Sequence, residues 1–157
     1  MSNAVSNDVT YRVADATSYD DVVRLLCELV DELSPDDNAA QIKAMLHDDI
    51  REAFQMPNVR IFLAELNGEV IGLSRGDVLT NDPIFRLRED NRCGYVDQMF
   101  VRAGYRDRGI GAILLRMLED WFREQGVGHS VLHAAPKAVR FYARIGYQPN
   151  REMFKKL

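Results

Sequence analysis

Residues 105–115 read YRDRGIGAILL, a basic stretch with two glycines that runs directly into apolar residues. Gly109 and Gly111 stand where an apolar helix is expected to begin, and glycine has no Cβ to keep a ligand away from the main chain. The first amides of a helix lack intrahelical partners, and the helix dipole is positive at that end. Arg106 and Arg108 add positive charge. The stretch therefore predicts an anion-binding turn between a strand and a helix, suited to a phosphate or diphosphate.

Two common phosphate-binding loops do not match this stretch. A Rossmann turn needs a third glycine where Leu114 stands, and an acidic residue about 20 positions later, where His129 lies. Gly104 and Gly109 have the spacing of a P-loop, but Ile110 replaces its lysine. The alternative to an anion site is a glycine-rich turn that binds no ligand.

Length and composition predict one cytoplasmic domain. The chain has 157 residues, 46% of them hydrophobic, which suits a single core. We expect a flexible N-terminus over 1–8 and one domain over 9–157. The sequence lacks a run of 18 or more apolar residues and the features of a secretory signal, so no membrane partner is expected. Cys27 and Cys93 lack metal-ligand spacing, so we expect no metal.

Charge is distributed unevenly along the chain. Residues 1–52 carry 12 acids and 4 bases, whereas residues 53–157 carry 12 acids and 16 bases. One end of the molecule is thus expected to favour cations and the other anions, although solvated surface charge explains the pattern equally well. The sequence pI near 5.4 and the absence of a basic stripe argue against nucleic acid as a partner.

Periodicity and turn signals predict alternating strands and helices. Strands are expected over 9–14, in two runs between 59 and 79, over 94–101, over 129–135 and over 147–157; helices are expected over 19–33, 38–54, 109–125 and 136–146. Asn67-Gly68 favours a tight hairpin between the second and third strands. The predicted inward faces of the first three helices are Val22, Leu25, Leu26, Leu29, Val30 and Leu33; Ile42, Met45, Leu46, Ile50 and Phe54; and Ile110, Leu114, Met117, Leu118, Trp121 and Phe122.

Residues 99–115, MFVRAGYRDRGIGAILL, resemble the acetyl-CoA signature of the GNAT superfamily of N-acetyltransferases. The shared features are a hydrophobic-x-Val strand end, a short turn, and Arg/Gln-x-x-Gly-x-Gly/Ala. Arg102-Ala103-Gly104 stands where the family usually has a proline. The element order matches that fold over nearly the whole chain. The resemblance implies an α/β fold with a mixed, mostly antiparallel sheet and helices on both faces.

The same resemblance implies acetyl-CoA as co-substrate. Main-chain groups of seven residues would line its diphosphate: Arg106, Asp107, Arg108, Gly109, Ile110, Gly111 and Ala112. Met99 and Val101 would hydrogen-bond the thioester oxygen and the pantetheine arm. Lys137 and Arg140 would meet coenzyme phosphates or simply be solvated.

FYARIGY, residues 141–147, is similar to the family's Phe-Tyr-x-x-x-Gly-Phe/Tyr segment, whose tyrosine lies near the coenzyme sulfur. This similarity places Tyr142 as the acid for the departing thiolate, with a core tyrosine as the alternative. Ala135 stands where family members often have an asparagine that contacts pantetheine.

GYVDQMFV, residues 94–101, is similar to a strand of spermidine/spermine acetyltransferases in which a glutamate takes a proton from the amine. Asp97 occupies that place as a base acting through water, as a binder of an ammonium group, or as a strand aspartate paired with an arginine. Asp31, Glu32, Asp36 and Asp37 would wall the acceptor site, unless they only stabilise helix ends. For His133, a core or edge position is expected rather than a catalytic one.

We therefore predict an N-acetyltransferase that moves an acetyl group from acetyl-CoA directly to a primary amine, in particular a small, polyamine-like cation. Aminoglycosides and peptide or protein N-termini are alternative acceptors, and a longer acyl group is an alternative donor. A non-catalytic CoA-binding sensor or interaction module is an alternative of another class. Similar proteins are often homodimers, which makes a homodimer possible here.

Overall fold

The computed structural model describes residues 8–33, 38–80, 91–150 and 153–157. Its strands are β1 (Thr10–Val13), β2 (Val59–Leu66), β3 (Glu69–Thr80), β4 (Arg92–Val101) and β5 (Ser130–Leu132). Its α-helices are α1 (Tyr19–Leu33), α2 (Ala39–Ala53), α3 (Ile110–Glu124) and α4 (Val139–Ile145). Short 3-10 turns occupy Ala16–Ser18, Ala103–Tyr105 and Pro136–Ala138. The predicted flexible N-terminus falls mostly on residues outside these ranges.

The strands form one sheet in the order β1-β2-β3-β4-β5. β1 to β4 are antiparallel neighbours, and β5 joins β4 in parallel. Asn67 and Gly68 connect β2 to β3 with φ angles of 53° and 80°, as a tight two-residue hairpin requires. This arrangement confirms the predicted mixed, mostly antiparallel sheet.

Helices cover both faces of the sheet. α1 and α2 pack on one face against Ile61, Leu63 and Leu73, and α3 packs on the other against Phe62 and Ile71. β2 and β3 contribute side chains to both cores, because successive residues of a strand point to opposite faces of the sheet.

Three residues predicted to face inward are exposed instead. Leu33 is 61% exposed, Met45 is 66% exposed and Ile42 is also exposed. Leu33 ends α1, and α2 reaches the core through its C-terminal half, where Ile50 and Ala53 are buried. The prediction was wrong at these positions because it extended one buried stripe along the whole length of each helix.

The predicted strand over 147–157 is also wrong for the part that the structure describes, since 147–150 and 153–157 contain no strand. The Tyr147 amide donates to the Tyr142 carbonyl at 3.1 Å, which closes the end of α4 rather than starting a strand. Pro149 has no amide hydrogen for a strand ladder. Met153, Phe154 and Leu157 are almost fully exposed.

Candidate active site

The strands β4 and β5 separate part-way along β4, at the edge of the sheet. Their last paired residues are Val96 and Leu132, after which β5 ends and β4 continues to Val101. Residues 97–101 therefore have no partner from β5 on that side. The open edge of a strand presents main-chain donors and acceptors that a ligand can pair with.

Main-chain groups of Met99 and Val101 face this open edge. The Arg102 amide donates toward β3, to the Ile71 carbonyl at 2.9 Å. Because main-chain groups of successive residues point to opposite sides of a strand, those of Met99 and Val101 point away from β3. The Val101 carbonyl accepts a hydrogen bond from Arg106 Nε at 2.7 Å. The structure thus places both predicted residues where the strands part.

The glycine loop leads directly into α3. Asp107 and Gly109 have φ angles of 62° and 80°, so two left-handed residues turn the chain before the helix. Gly109 is the N-cap residue and provides no side chain, and the first bond that its carbonyl accepts comes from the Ile113 amide at 3.1 Å. The amides of the first helical turn therefore point out of the helix end.

The space in front of this loop is open at Gly109 and bordered by the Phe141 ring at Gly111. A Cβ added at Gly109 would meet nothing within 4 Å, whereas a Cβ at Gly111 would lie 3.4 Å from the Phe141 ring. Gly109 thus leaves the main chain accessible to a ligand. At Gly111 an added Cβ would make an ordinary contact with the Phe141 ring on α4.

The two loop arginines differ in their partners. Arg106 Nη2 donates to both carboxylate oxygens of Glu32, at 2.7 and 2.8 Å. Arg108 donates to the Gly104 carbonyl at 3.3 Å and lies over the Tyr105 ring. Among the described residues no carboxylate pairs with Arg108. Its charge, rather than that of Arg106, remains available for an anion.

Tyr142 lies on α4 between two aromatic rings, those of Phe141 and Tyr147, at centroid distances of 5.1 and 5.8 Å. Burial raises its pKa above the ordinary value of 10.0. In the described ranges its hydroxyl has no hydrogen-bond partner, whereas the Tyr147 hydroxyl donates to Ser130 Oγ at 3.0 Å. The Tyr142 hydroxyl is thus protonated at neutral pH and has no hydrogen-bond acceptor among the described residues. Lys137 and Arg140 are exposed nearby in sequence, in the turn before α4 and on α4 itself.

Asp97 is the extra residue of a β-bulge. Arg75 pairs with Gln98 and Gly76 with Val96, so no residue of β3 stands opposite Asp97. Its carboxylate lies 3.3 Å from Arg75 Nε. This contact matches one of the predicted alternatives, a strand aspartate paired with an arginine.

Arg75 binds two further carboxylates. Its Nη1 lies 2.6 Å from Asp49 on α2, and its Nε lies 3.2 Å from Asp77. These four residues, Arg75, Asp49, Asp77 and Asp97, form the Arg75 cluster, which contains three acids and one base. Burial raises the pKa of Asp97, the charge of Arg75 opposes this increase, and Asp77 and Asp49 add to it.

Sequence reasoning missed three members of this cluster. Arg75 and Asp77 are two residues apart in a strand that is otherwise largely apolar, which places both charges on one face of the sheet. That spacing was the available signal. Asp49 reaches the cluster only through the packing of α2, which no local pattern specifies.

The predicted acidic wall is partly neutralised. Asp31 pairs with Lys43 at 2.5 Å, and Glu32 pairs with Arg106. Asp36 and Asp37 lie outside the described residues. His133 is exposed one residue past the end of β5, and its Nδ1 lies 2.9 Å from the Tyr95 hydroxyl. His133 therefore lies outside β5, next to the point where the strands part, and not within the strand predicted over 129–135.

In the described part of the chain, no group of three or more His, Cys, Asp or Glu side chains could hold a metal ion. None of the helices in those ranges combines the length and the apolar character needed to cross a bilayer.

Comparison with protein-family models matches residues 26–147 to the acetyltransferase (GNAT) family. Among solved structures, a GCN5-related N-acetyltransferase from Ralstonia eutropha JMP134 superposes with a TM-score of 0.85 at 24% identity, covering 96% of this chain and 99% of that one. The structure of AAC(6')-Iy with a bisubstrate analogue gives a TM-score of 0.76 at 18% identity, covering 96% and 98%. These similarities establish the fold.

Curated relatives match over shorter stretches. A Bacillus subtilis (strain 168) protein, provisionally named an acetyltransferase, is 30% identical over 69 residues, which is 44% of this chain and 47% of that protein. Glucosamine 6-phosphate N-acetyltransferase 1 of Oryza sativa subsp. japonica is 31% identical over 61 residues, or 39% and 37% of the two chains. The aligned part spans less than half the length of these curated relatives.

Proposed function

Because the chain belongs to the acetyltransferase (GNAT) family, we propose that it is an acetyl-CoA-dependent N-acetyltransferase that acts directly on the primary amine of a small cationic acceptor. The observation that carries the choice of acceptor is the Arg75 cluster, which places three carboxylates and one guanidinium beside the parted strands. Its excess negative charge favours a cation there.

The residues around the parted strands fit acetyl-CoA. Gly109, with a φ of 80° and open space where a Cβ would stand, leaves the loop amides accessible to a diphosphate. In this proposal the main chain of residues 106–112 holds that group, while Arg108, Lys137 and Arg140 add positive charge. Met99 and Val101 orient the pantetheine arm and the thioester through the open edge of β4. Acetyl-CoA, when bound, supplies an acetyl group activated as a thioester.

Tyr142 provides the proton for the departing sulfur. Its hydroxyl has no partner in the described part of the fold, and burial keeps its pKa above the ordinary value. A phenol with a raised pKa stays protonated at neutral pH, which is the form that an acid must have. Tyr147 does not compete for this role, because its hydroxyl is already bonded to Ser130.

Asp97 acts on the acceptor. Its carboxylate attracts the ammonium form of the amine and then accepts the amine's proton, directly or through water. Burial raises the pKa of Asp97 and makes the carboxylate a better base than an exposed aspartate. The partly exposed position of the side chain, at 31%, leaves it accessible to an acceptor from solvent.

Amine-dependent release of the coenzyme thiol tests this proposal. A matched pair of acceptors, 1,4-diaminobutane and butylamine, differs by one ammonium group, and an aminoglycoside and a short peptide complete the panel. We expect the diamine to have a kcat/KM at least about tenfold above that of the monoamine, a difference of about 1.4 kcal/mol. Coenzyme binding without thiol release for any amine would favour a non-catalytic sensor, and a preference for the peptide would refute the cationic small-molecule acceptor.

A further inference from the structure

We infer that Arg75 is a positioning residue for acetyl transfer, which holds the carboxylate of Asp97 at the bulge of β4 for the acceptor amine. This inference rests on the proposed role of Asp97. Arg75 does not need to touch either substrate, because it acts through Asp97.

The guanidinium of Arg75 is a fixed point in the fold. The residue is 5% exposed, on β3 in the middle of the sheet. Nη1 bonds Asp49, Nη2 lies 3.4 Å from Asp77, and Nε lies near both Asp77 and Asp97. The planar fork of arginine holds several carboxylates in set directions, which a lysine ammonium does not do.

Asp97 depends on this fixed point more than its neighbours in the strand do. As the extra residue of the bulge it lacks an opposite residue on β3, and β5 has already ended beside it. Among the described residues, the ion pair with Arg75 at 3.3 Å is the side-chain contact that can orient it. A small misplacement of a base relative to the reacting atom costs rate steeply, so that orientation matters for catalysis.

Asp97 depends on Arg75 for a compensating charge, whereas Arg75 does not depend on Asp97. Asp49 and Asp77 already bond the guanidinium at Nη1, Nη2 and Nε, so Arg75 keeps compensating charges without Asp97. Asp97, in contrast, has Arg75 as its single cationic partner within the described ranges. Loss of Arg75 would leave Asp97 beside two other carboxylates without that cationic partner.

The charged and titratable groups that act on Asp97 come from two elements. β3 contributes Arg75 and Asp77, and α2 contributes Asp49. Among the three groups on β3 and α2, only Arg75 lowers the pKa of Asp97, whereas Asp77 and Asp49 raise it, in addition to burial. Removing Arg75 and removing Asp77 must therefore shift the titration of Asp97 in opposite directions.

This sign difference provides the test, in variants Arg75→Gln, Arg75→Lys, Asp77→Asn and Asp97→Asn of the full chain. Two readouts are needed: the acidic limb of kcat/KM against pH with one fixed amine acceptor, and the carboxyl 13C titration of Asp97 by NMR. We expect Arg75→Gln to move both to higher pH, on the order of one unit, and to lower kcat. Arg75→Lys should return the limb toward its original position but leave kcat low, because an ammonium lacks the fork geometry. Asp77→Asn should move both readouts to lower pH.

The outcomes separate the inference from the function that it rests on. If Asp97→Asn keeps the turnover of the unsubstituted protein, the proposed role of Asp97 fails and this inference fails with it. If Asp97→Asn impairs turnover but folded Arg75→Gln leaves the limb and the titration unchanged, the inference alone is overturned. Should Arg75→Gln not fold, the Asp77→Asn arm decides, because an unchanged or upward shift there contradicts the charge arrangement.

Discussion

Arg106 Nη2 lies 2.7 and 2.8 Å from the two carboxylate oxygens of Glu32, and Nε of the same guanidinium donates to the Val101 carbonyl. One side chain thus ties the last turn of α1 to the end of β4 and to the loop that precedes α3. The charge of Glu32 is already matched inside the protein, which limits what it can offer a substrate.

Glu32→Gln is therefore expected to leave the acceptor KM nearly unchanged, in contrast to Asp97→Asn, which should raise it. Both partners of the pair are more than one third exposed, so its loss should lower the free energy of unfolding by less than about 1 kcal/mol. Steady-state kinetics with a diamine and urea denaturation measure the two effects. An increase in acceptor KM as large as that of Asp97→Asn would restore Glu32 as a substrate residue.

Gly109→Ala tests the loop at its most sensitive position. Its φ of 80° would strain any residue with a Cβ by about 1 kcal/mol or more, and that Cβ would enter the open space in front of the loop. We expect acetyl-CoA affinity by calorimetry to fall by about tenfold or more. Gly104→Ala is the matched control, since a Cβ there also meets nothing within 4 Å but the φ is not positive. Equal losses in the two variants would show that Gly109 has no special role.

Tyr142→Phe removes the proposed acid and little else. With no hydrogen bond of the hydroxyl to lose in the described structure, stability and acetyl-CoA affinity should change little, while kcat should fall by about 100-fold. Because burial raises the pKa of Tyr142, the alkaline limb of kcat should lie above pH 10.0. Tyr147→Phe is the control, which should lose about 1 kcal/mol of stability with the bond to Ser130 but keep most of kcat. A larger kcat loss in Tyr147→Phe than in Tyr142→Phe would exchange their roles.

Asp97 is expected to oppose folding at neutral pH. Its pKa is raised in the folded protein, so the protonated form is favoured there and stability is lost as pH rises through the folded pKa. Asp97→Asn should consequently gain thermal stability relative to the unsubstituted protein at pH 7, and the gain should vanish below the pKa of an unfolded aspartate, about 3.9. Melting temperatures measured across pH give the difference. A gain that grows toward low pH would mean that the pKa of Asp97 is lowered instead.

Local signals in the sequence specified most of the elements. The helix expected over 19–33 is α1 without change, because three- and four-residue spacings of leucine and valine define it and a turn precedes it. Asn67-Gly68 determined the hairpin, since few residue pairs adopt two positive φ angles. The glycine loop before α3 was predicted from two glycines and two arginines at the start of an apolar helix, and the structure adds that Gly109 is left-handed, with a φ of 80°.

Features that depend on tertiary packing were not predictable in this way. The Arg75 cluster requires the bulge between β3 and β4 and the docking of α2, and neither leaves a periodic signal. Met45 continues the apolar spacing of α2 and yet is exposed, because the helix meets the sheet only at its C-terminal half. The strand expected at the C-terminus failed at Tyr147, whose amide closes α4 instead.

A crystal structure of the protein with acetyl-CoA is the most direct measurement of the central claim, that the loop before α3 and the open edge of β4 bind the coenzyme. We expect the diphosphate oxygens within hydrogen-bond distance, about 2.7–3.2 Å, of amides among residues 106–112, and the thioester beside Met99 and Tyr142. A coenzyme bound elsewhere, with the amides of residues 106–112 facing only solvent, would contradict it.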